Sequence, residues 1–395
     1  MGSVPGVGAE RAAPKLVVRR TIGEPRGALA RRQPSGRDEG AGIRPAMTTS
    51  RGSRELVLPG SLAAHLAAGH PWIYRDHVPR NFDAPSGSWV KVRSGAWAGV
   101  ALWDRTSPIA LRVFARSAVP DEAFVERRLV DAWELRAPLR EQGVTAFRVV
   151  YGEGDGLPGV VVDYYAGHCV LVTYADSLDV LVAPLTKALM RTVGARSVLR
   201  RRGPGDVQVL AGEAPSRELV IEEHGGMRLL VDVFAGQKTG LFLDHRENRR
   251  FIGEQAHGKD VLNLFAYTGG FSVAAALGGA RSVVSVDGAA PASEASVANF
   301  RLNGLRAFPH EAVTRDAFEY LEEAARSGRD FDLVISDPPS FAKSRAQLKA
   351  AEKAYRRLTA LGLAVTRPGG LYAAASCTSQ VSPEAFRQVL ADACR

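Results

Sequence analysis

From Leu219 to the end of the chain, short apolar runs alternate with stretches of helical periodicity, and few folds accommodate that pattern. The runs Asp260–Phe265, Ser282–Val286, Glu311–Thr314, Phe331–Ser336 and Gly370–Ala375 have strand length, and most are too uniformly apolar for a half-exposed sheet. Between and after them, Gly270–Leu277, Pro291–Asn303, Ala317–Ser327, a long segment from Ala346 to Thr366, and Pro383–Ala393 repeat their apolar residues with helical spacing. Strands that alternate with helices imply an α/β fold with a doubly wound parallel sheet. A hairpin, Leu219–Glu223 and Arg228–Val233 around Gly225-Gly226, and a helix over Asn248–Gln255 lead into it.

Before residue 218 the patterning differs. Residues 54–120 carry short apolar runs (Glu55–Leu58, Ser88–Val92, Gly99–Trp103, Ile109–Phe114) broken by turns, which predicts a small β-rich module with one helix, Ser61–Ala68, capped by Ser61. Residues 121–217 read as an α+β insert. Helical spacing over 121–142 precedes strands at Phe147–Tyr151, Val160–Tyr165 and Cys169–Tyr174 and a helix over Leu178–Thr192. Residues 218–395 form the last domain. Residues 1–53 are rich in Arg, Gly, Pro and Ala without apolar periodicity and are expected to be a disordered basic tail. That segment holds ten basic side chains against four acidic ones, so much of the net charge of +9 belongs to it and says little about the folded body.

No run approaches the roughly 18 apolar residues of a membrane span, and the N-terminus lacks the apolar stretch of a secretory signal, so a cytoplasmic protein without a membrane partner is expected. The three cysteines, Cys169, Cys377 and Cys394, have neither zinc-site spacing nor a disulfide pattern, and no metal is expected.

In open α/β sheets ligands bind beyond the carboxyl ends of the strands, so candidate residues are those that follow each run. After the first comes Asn263-Leu264-Phe265-Ala266-Tyr267-Thr268-Gly269-Gly270-Phe271, where glycines let the backbone approach a ligand and open a helix. Neither G-x-G-x-x-G nor GK[ST] is present. Asn263, Phe265, Tyr267, Thr268 and Gly269 are the candidate cofactor contacts here. Asp287, followed by Gly288, ends the second run at about the offset from the glycine turn expected of a ribose-binding carboxylate. Asp316, followed by Ala317, ends the third, where it could meet an adenine amine or simply cap a helix.

After the fourth run stands Asp337-Pro338-Pro339-Ser340-Phe341, a loop stiffened by two prolines that suits a planar base held by Asp337, bare carbonyls and the Phe341 ring. After the fifth, Cys377 emerges at the same rim. A lone cysteine is usually a small buried hydrophobe, but methylation at C5 of a pyrimidine requires a nucleophile at C6, and a thiolate serves.

Together these residues resemble the PUA-domain class I large-subunit ribosomal RNA methyltransferases that use S-adenosylmethionine (SAM), the best known of which make 5-methylcytosine. The resemblance runs from Arg54 onward and rests on Gly69-His70-Pro71-Trp72-Ile73-Tyr74, Gly152-Glu153-Gly154-Asp155-Gly156-Leu157-Pro158-Gly159, the stretch from Gly236-Gln237-Lys238 through Leu243-Asp244-His245-Arg246-Glu247-Asn248-Arg249, and Asn263–Phe271. It implies a PUA-like RNA-binding module, then the α+β insert, then a Rossmann-like methyltransferase sheet. It also implies that Gly269, Asp287 and Asp316 hold SAM, with Asp337 reaching both cofactor and acceptor. Gln237, Lys238, Asp244 and Arg246 would close the pocket, Pro338, Pro339 and Phe341 would face the substrate, and Cys377 would be the nucleophile. Members of that family carry two more strands after the helix at Pro383–Ala393, so those strands are expected to be missing at the sheet edge. Two other readings are a methyltransferase for an exocyclic base amine, which needs no cysteine, and a non-catalytic RNA-binding assembly factor. Self-association into a homodimer stays open.

Overall fold

The computed structural model describes residues 55–342, 344–378 and 380–394 together with the backbone of residues 15–20. Its strands are β1 (Lys15–Arg20), β2 (Glu55–Val57), β3 (Trp72–Tyr74), β4 (Trp89–Ser94), β5 (Trp97–Trp103), β6 (Ile109–Ala115), β7 (Ala146–Tyr151), β8 (Val160–Tyr165), β9 (His168–Thr173), β10 (Ser197–Gly203), β11 (Asp206–Gly212), β12 (Leu219–Glu222), β13 (Arg228–Val231), β14 (Asp260–Leu264), β15 (Ser282–Asp287), β16 (His310–Thr314), β17 (Phe331–Ser336) and β18 (Thr366–Ser376). The α-helices are α1 (Ala63–Ala67), α2 (Glu122–Leu135), α3 (Ala137–Glu141), α4 (Val182–Ala188), α5 (Arg246–Gln255), α6 (Gly270–Leu277), α7 (Ala290–Leu302), α8 (Ala317–Ser327), α9 (Leu348–Ala364) and α10 (Pro383–Ala393). They form two compact units. One runs to Ile221 and takes in Val231–Leu241; the other holds Glu222–Leu230, the chain from Phe242 onward, and β1.

The first unit contains two five-stranded sheets, β2-β4-β5-β6-β3 and β11-β10-β9-β8-β7. Leu56, Ile73, Val92, Trp97 and Leu111 fill the first sheet's core, while Leu102 and Phe114 turn into the core that α2 and α4 build on the second. Trp72 Nε1 donates to Glu153 at 2.7 Å, which ties β3 to the glycine-rich turn of the insert. Ser61 lies inside a one-turn 3₁₀ helix and caps nothing; the segment starts at Pro59 without a side-chain cap. The helix expected over Leu178–Thr192 is split into a 3₁₀ stretch, α4 and a π turn.

β10 and β11 were not anticipated; three consecutive arginines, Arg200-Arg201-Arg202, interrupt the apolar pattern of a buried strand in β10. In the fold Arg200 and Arg201 are 7% and 6% exposed. Arg200 is paired with Asp179, and Arg201 donates to the carbonyls of Val233 (3.2 Å) and Gly236 (2.8 Å). Buried cations are tolerated when they are paired or hydrogen-bonded in this way.

The second unit is a wholly parallel sheet in the order β16-β15-β14-β17-β18-β1. Leu262, Leu264, Val334 and Tyr372 pack with Tyr320, Leu321, Tyr355, Leu358 and Phe386 of α8, α9 and α10 in one core. Strand side chains alternate faces, so Asn263 and Ser285 point to the opposite side, where α6 lies. The outer edge of β18 is covered. Lys15–Arg20, within the segment expected to be disordered, pairs with Leu371–Ser376 as a parallel strand, which corrects that expectation for these six residues. Leu16-Val17-Val18 has the β-branched, apolar character a strand edge accepts. The rest of residues 1–53 lies outside the described residues.

At the amino end of this sheet a lattice of charges joins four strands' ends. Arg281 and Arg367 both bind Asp260 and Asp332, with Arg367 Nη1 at 2.9 Å from Asp260 and 2.7 Å from Asp332. Hydrogen bonds from Arg281 first, then from Ser282 and Arg367, hold the Asp260 carboxyl well below the usual carboxylate range. A carboxyl whose folded value is depressed contributes stability above its unfolded value near 4. That contribution is lost as pH falls toward the folded value. The urea midpoint of the protein should therefore drop between pH 5 and pH 3 by more than that of Asp260→Asn; equal drops would show that the lattice does not act this way.

Candidate active site

Strand register brings the candidate residues together. Leu264 pairs with Val286 on one side and Ser336 on the other, and Ser336 pairs with Ala374, so four strand tips end in one row. The residues that follow, Phe265–Gly269, Asp287–Ala289, Asp337–Phe341 and Cys377, leave from the same rim, and Thr314, paired with Asp287, brings Asp316 to its end.

The turn after β14 is held in a conformation that few side chains adopt. Phe265, Tyr267 and Gly269 have φ of +55°, +48° and +77°, so two residues other than glycine occupy the left-handed region at a cost of about 1–3 kcal/mol each. Asp287 braces the turn: Oδ2 accepts the Tyr267 N–H at 2.8 Å and Oδ1 accepts the Ala289 N–H at 2.9 Å. A Cβ on Gly269 would stand 2.2 Å from Ser296 Oγ, so only glycine fits there. Gly288 has open space around it. Asn263 Nδ2 donates to Ser272 Oγ (2.9 Å), which meets Ser285 Oγ (2.6 Å), which in turn meets His310 Nε2 (2.9 Å). Burial lowers the His310 pKa to about 4, so the imidazole is neutral at physiological pH. Asn263 Oδ1, Thr268 Oγ1 and Ser296 Oγ are buried without a hydrogen-bond partner at this turn. Buried polar atoms are rarely left so. A polar cofactor beside a glycine turn fits them, with the Asp287 carboxylate on the same rim.

Asp316 caps α8, its Oδ1 accepting from Phe318 N (2.9 Å) and Glu319 N (3.2 Å). Ala317 is buried in the core and can reach a ligand only through its backbone.

On the other side of the rim, Asn248, Phe251, Phe271, Asp337 and Ala375 line one cavity. Cys377 is exposed, its Sγ 3.8 Å from the Pro338 carbonyl. Tyr355 supports this corner from below, its hydroxyl shared with Ser376 Oγ (2.8 Å) and Thr378 Oγ1 (2.7 Å). Burial raises the Tyr355 pKa, and the nearby Cys377 and Asp337 add to the shift. Pro338 is buried and Pro339 exposed. Phe341 is half-buried, and its ring packs edge-on to Tyr355, 4.8 Å between centroids, against the core. Cys169 is fully buried, and burial pushes its thiol up to about 12, as suits an inert cysteine.

The stretch before α5 contributes side chains the sequence reading passed over. His245, 3% exposed, places Nε2 at 3.3 Å from Asp337 Oδ2, and its ring meets Phe271 and Phe242 edge-on. Arg249 is buried against Glu223 and also donates to the Phe242 carbonyl at 3.1 Å, which fixes the loop carrying His245. The only sequence cue was position, since His245 and Arg249 fall inside a recognisable stretch without a chemical signature of their own. Arg246 is half-buried and bonded to Glu247, while Asp244 is exposed. Gln237 and Lys238 fold with the first unit, where Thr239 donates to Asp163 at 2.6 Å, and are not among the residues the register unites.

Comparison with known proteins agrees with this geometry. The profile of the S-adenosylmethionine-dependent methyltransferases matches residues 177–393, and that of the PUA-like domain matches residues 57–116. A Ribosomal RNA large subunit methyltransferase I of Aeromonas hydrophila is 36% identical, covering 86% of this chain and 90% of its own. A Ribosomal RNA large subunit methyltransferase of Deinococcus radiodurans is 38% identical, covering 84% of this chain and 86% of its own. The structure of a SAM-dependent methyltransferase from Streptococcus mutans superposes with a TM-score of 0.74 at 26% identity, covering 86% of this chain and 90% of its own. Another methyltransferase, solved in complex with SAH, gives 0.75 at the same identity and coverage.

A parallel sheet whose rim carries a glycine turn and a braced carboxylate is the frame of a SAM-using enzyme. This chain belongs to the S-adenosylmethionine-dependent methyltransferase family and carries a PUA-like domain ahead of the catalytic sheet.

Among the described residues no group of three or more His, Cys, Asp or Glu is placed to hold a metal, and no helix is long and apolar enough to cross a membrane. Removing one partner of a buried ion pair strands the other, at about 3–5 kcal/mol. Arg249→Ala should lower the denaturation midpoint by that order. A loss below 1 kcal/mol would mean that Glu223 finds another partner.

Proposed function

We propose that this enzyme methylates C5 of a cytidine in large-subunit ribosomal RNA through a covalent adduct on Cys377. The substrate class follows the names of the relatives, which align over most of their length. The chemistry rests on one observation above the others: the exposed Cys377 thiol stands at the tip of β18, beside the Pro338 carbonyl and on the rim that carries Asp337.

C5 of cytosine is too weak a nucleophile to take a methyl group unaided. The Cys377 thiolate would attack C6, forming an Sγ–C6 bond and placing the displaced electron pair at C5. SAM, when bound, supplies a methyl group on a sulfonium, electrophilic enough for the activated C5. The C5 proton then leaves to a base and the Sγ–C6 bond breaks, restoring the aromatic ring and the thiolate. Asp337 would hold the ring nitrogen or amine of a base turned out of its stack, with the Pro338 and Pro339 loop keeping the backbone extended around it. Asn263, Thr268 and Gly269 would take SAM on the opposite side of the rim, with Asp287 on its ribose. The PUA-like sheet would grip the RNA, using exposed aromatic surface such as Tyr74, whose ring lies edge-on to Trp72.

Cys377→Ala should abolish methylation and any adduct with RNA carrying 5-fluorocytidine, while calorimetry shows SAM binding within about twofold of the native value. Near-native turnover would remove the nucleophile and favour an exocyclic amine as the acceptor. Absence of SAM binding in the unaltered protein would favour a non-catalytic RNA-binding role.

A further inference from the structure

Two aspartates stand at the ends of the strands that flank β14, Asp287 on β15 and Asp337 after β17, and the chain fixes them by different means. Asp287 is held by backbone: the N–H of Tyr267 on one oxygen and of Ala289, two residues ahead, on the other. Asp337 cannot be held by its own loop in that way, because the next two residues are Pro338 and Pro339, which have no N–H to give. A side chain from another element does reach it: His245 Nε2 stands 3.3 Å from Oδ2.

We infer that His245 is the positioning residue that orients Asp337 toward the acceptor base. The inference rests on the reading of Asp337 as the acceptor-facing carboxylate. His245 ends a 3₁₀ turn and lies three residues before Asn248 in α5, a spacing that puts the two side chains on one face. The Asn248 amide nitrogen is 3.2 Å from His245 Nδ1. With Nδ1 turned to Asn248, Nε2 is the ring nitrogen left for Asp337. That nitrogen faces Asp337 Oδ2 at 3.3 Å. The ring has little freedom to turn, with Phe271 at 5.4 Å and Phe242 at 6.3 Å between centroids, and Arg249 pinning the Phe242 carbonyl. Asn248 and Asp337 both line one small cavity, so the series Asn248–His245–Asp337 begins and ends on its wall while its middle member stays buried.

Four variants test this by methylation kinetics, with calorimetry for SAM and thermal melts as controls. His245→Phe keeps a ring of similar shape and removes the donor. It should lower kcat by about ten- to a hundredfold, the kinetic equivalent of one hydrogen bond to a charged group, with SAM affinity and melting temperature nearly unchanged. His245→Gln keeps an N–H donor within reach and should recover most of that loss. Asp337→Asn should itself be strongly impaired, and adding His245→Phe to it should cost little more, because the two residues act as a unit. Impaired Asp337→Asn alongside near-native His245→Phe overturns the positioning role and leaves the Asp337 reading standing; fully additive losses also overturn it. Near-native Asp337→Asn overturns both. Where His245→Phe fails to fold, His245→Asn, polar but too short to reach Asp337, replaces it and must show the same loss in kcat.

Discussion

The parallel register across β15, β14, β17 and β18 is the constraint on which the catalytic end depends. Each strand is matched so that Val286, Leu264, Ser336 and Ala374 end together. In a sheet buried on both faces a slip of one residue would turn Asn263 into the apolar core and Leu264 out of it, so the register is strongly specified by side-chain chemistry alone. The charge lattice of Asp260, Arg281, Asp332 and Arg367 adds a second specification at the opposite end, where Asp260 and Asp332 begin neighbouring strands. Fixing one end with ion pairs leaves the other free to carry loops chosen for chemistry.

Those loops concentrate the cost. Left-handed φ at Phe265 and Tyr267, and unpartnered buried oxygens on Asn263, Thr268 and Ser296, are all found at one turn. Strain and unmet hydrogen bonds persist only where the surroundings over-determine them. Here the determinants are the Asp287 carboxylate, which ties the Tyr267 N–H, and the Asn263–Ser272–Ser285–His310 chain, which ties the other end of the Asn263 amide. With Nδ2 committed to Ser272, the Asn263 oxygen is the atom left to meet a ligand.

What the sequence disclosed was set by how far a residue's role depends on its neighbours in the chain. The five strands of the catalytic sheet were legible because burial on both faces leaves an apolar run, and Asp287, Asp337 and Cys377 were legible because each follows such a run. β10 was hidden because Arg200 and Arg201 are buried by partners 21 to 35 residues away, which no local pattern reports. β1 was hidden because six residues in a basic tail form a strand only against an edge supplied by β18, more than 300 residues on.

The two strand-end aspartates show how a local choice propagates. Where ordinary residues follow, as after Asp287, backbone N–H groups hold the carboxylate, and no side-chain substitution removes those donors. Where two prolines follow, as after Asp337, the loop gains stiffness and loses the two nearest donors, and a side chain on another element, His245, approaches the carboxylate. Stiffness near the acceptor thus comes with dependence on α5, whose own position is set by the buried Arg249–Glu223 pair and the Phe242 carbonyl. The hairpin turn that carries Glu223, the loop before α5 and the tip of β17 are consequently one mechanical chain. A change at Glu223, well away from the reacting atoms, can reach Asp337 through Arg249, Phe242 and His245 without altering any residue that touches the substrate.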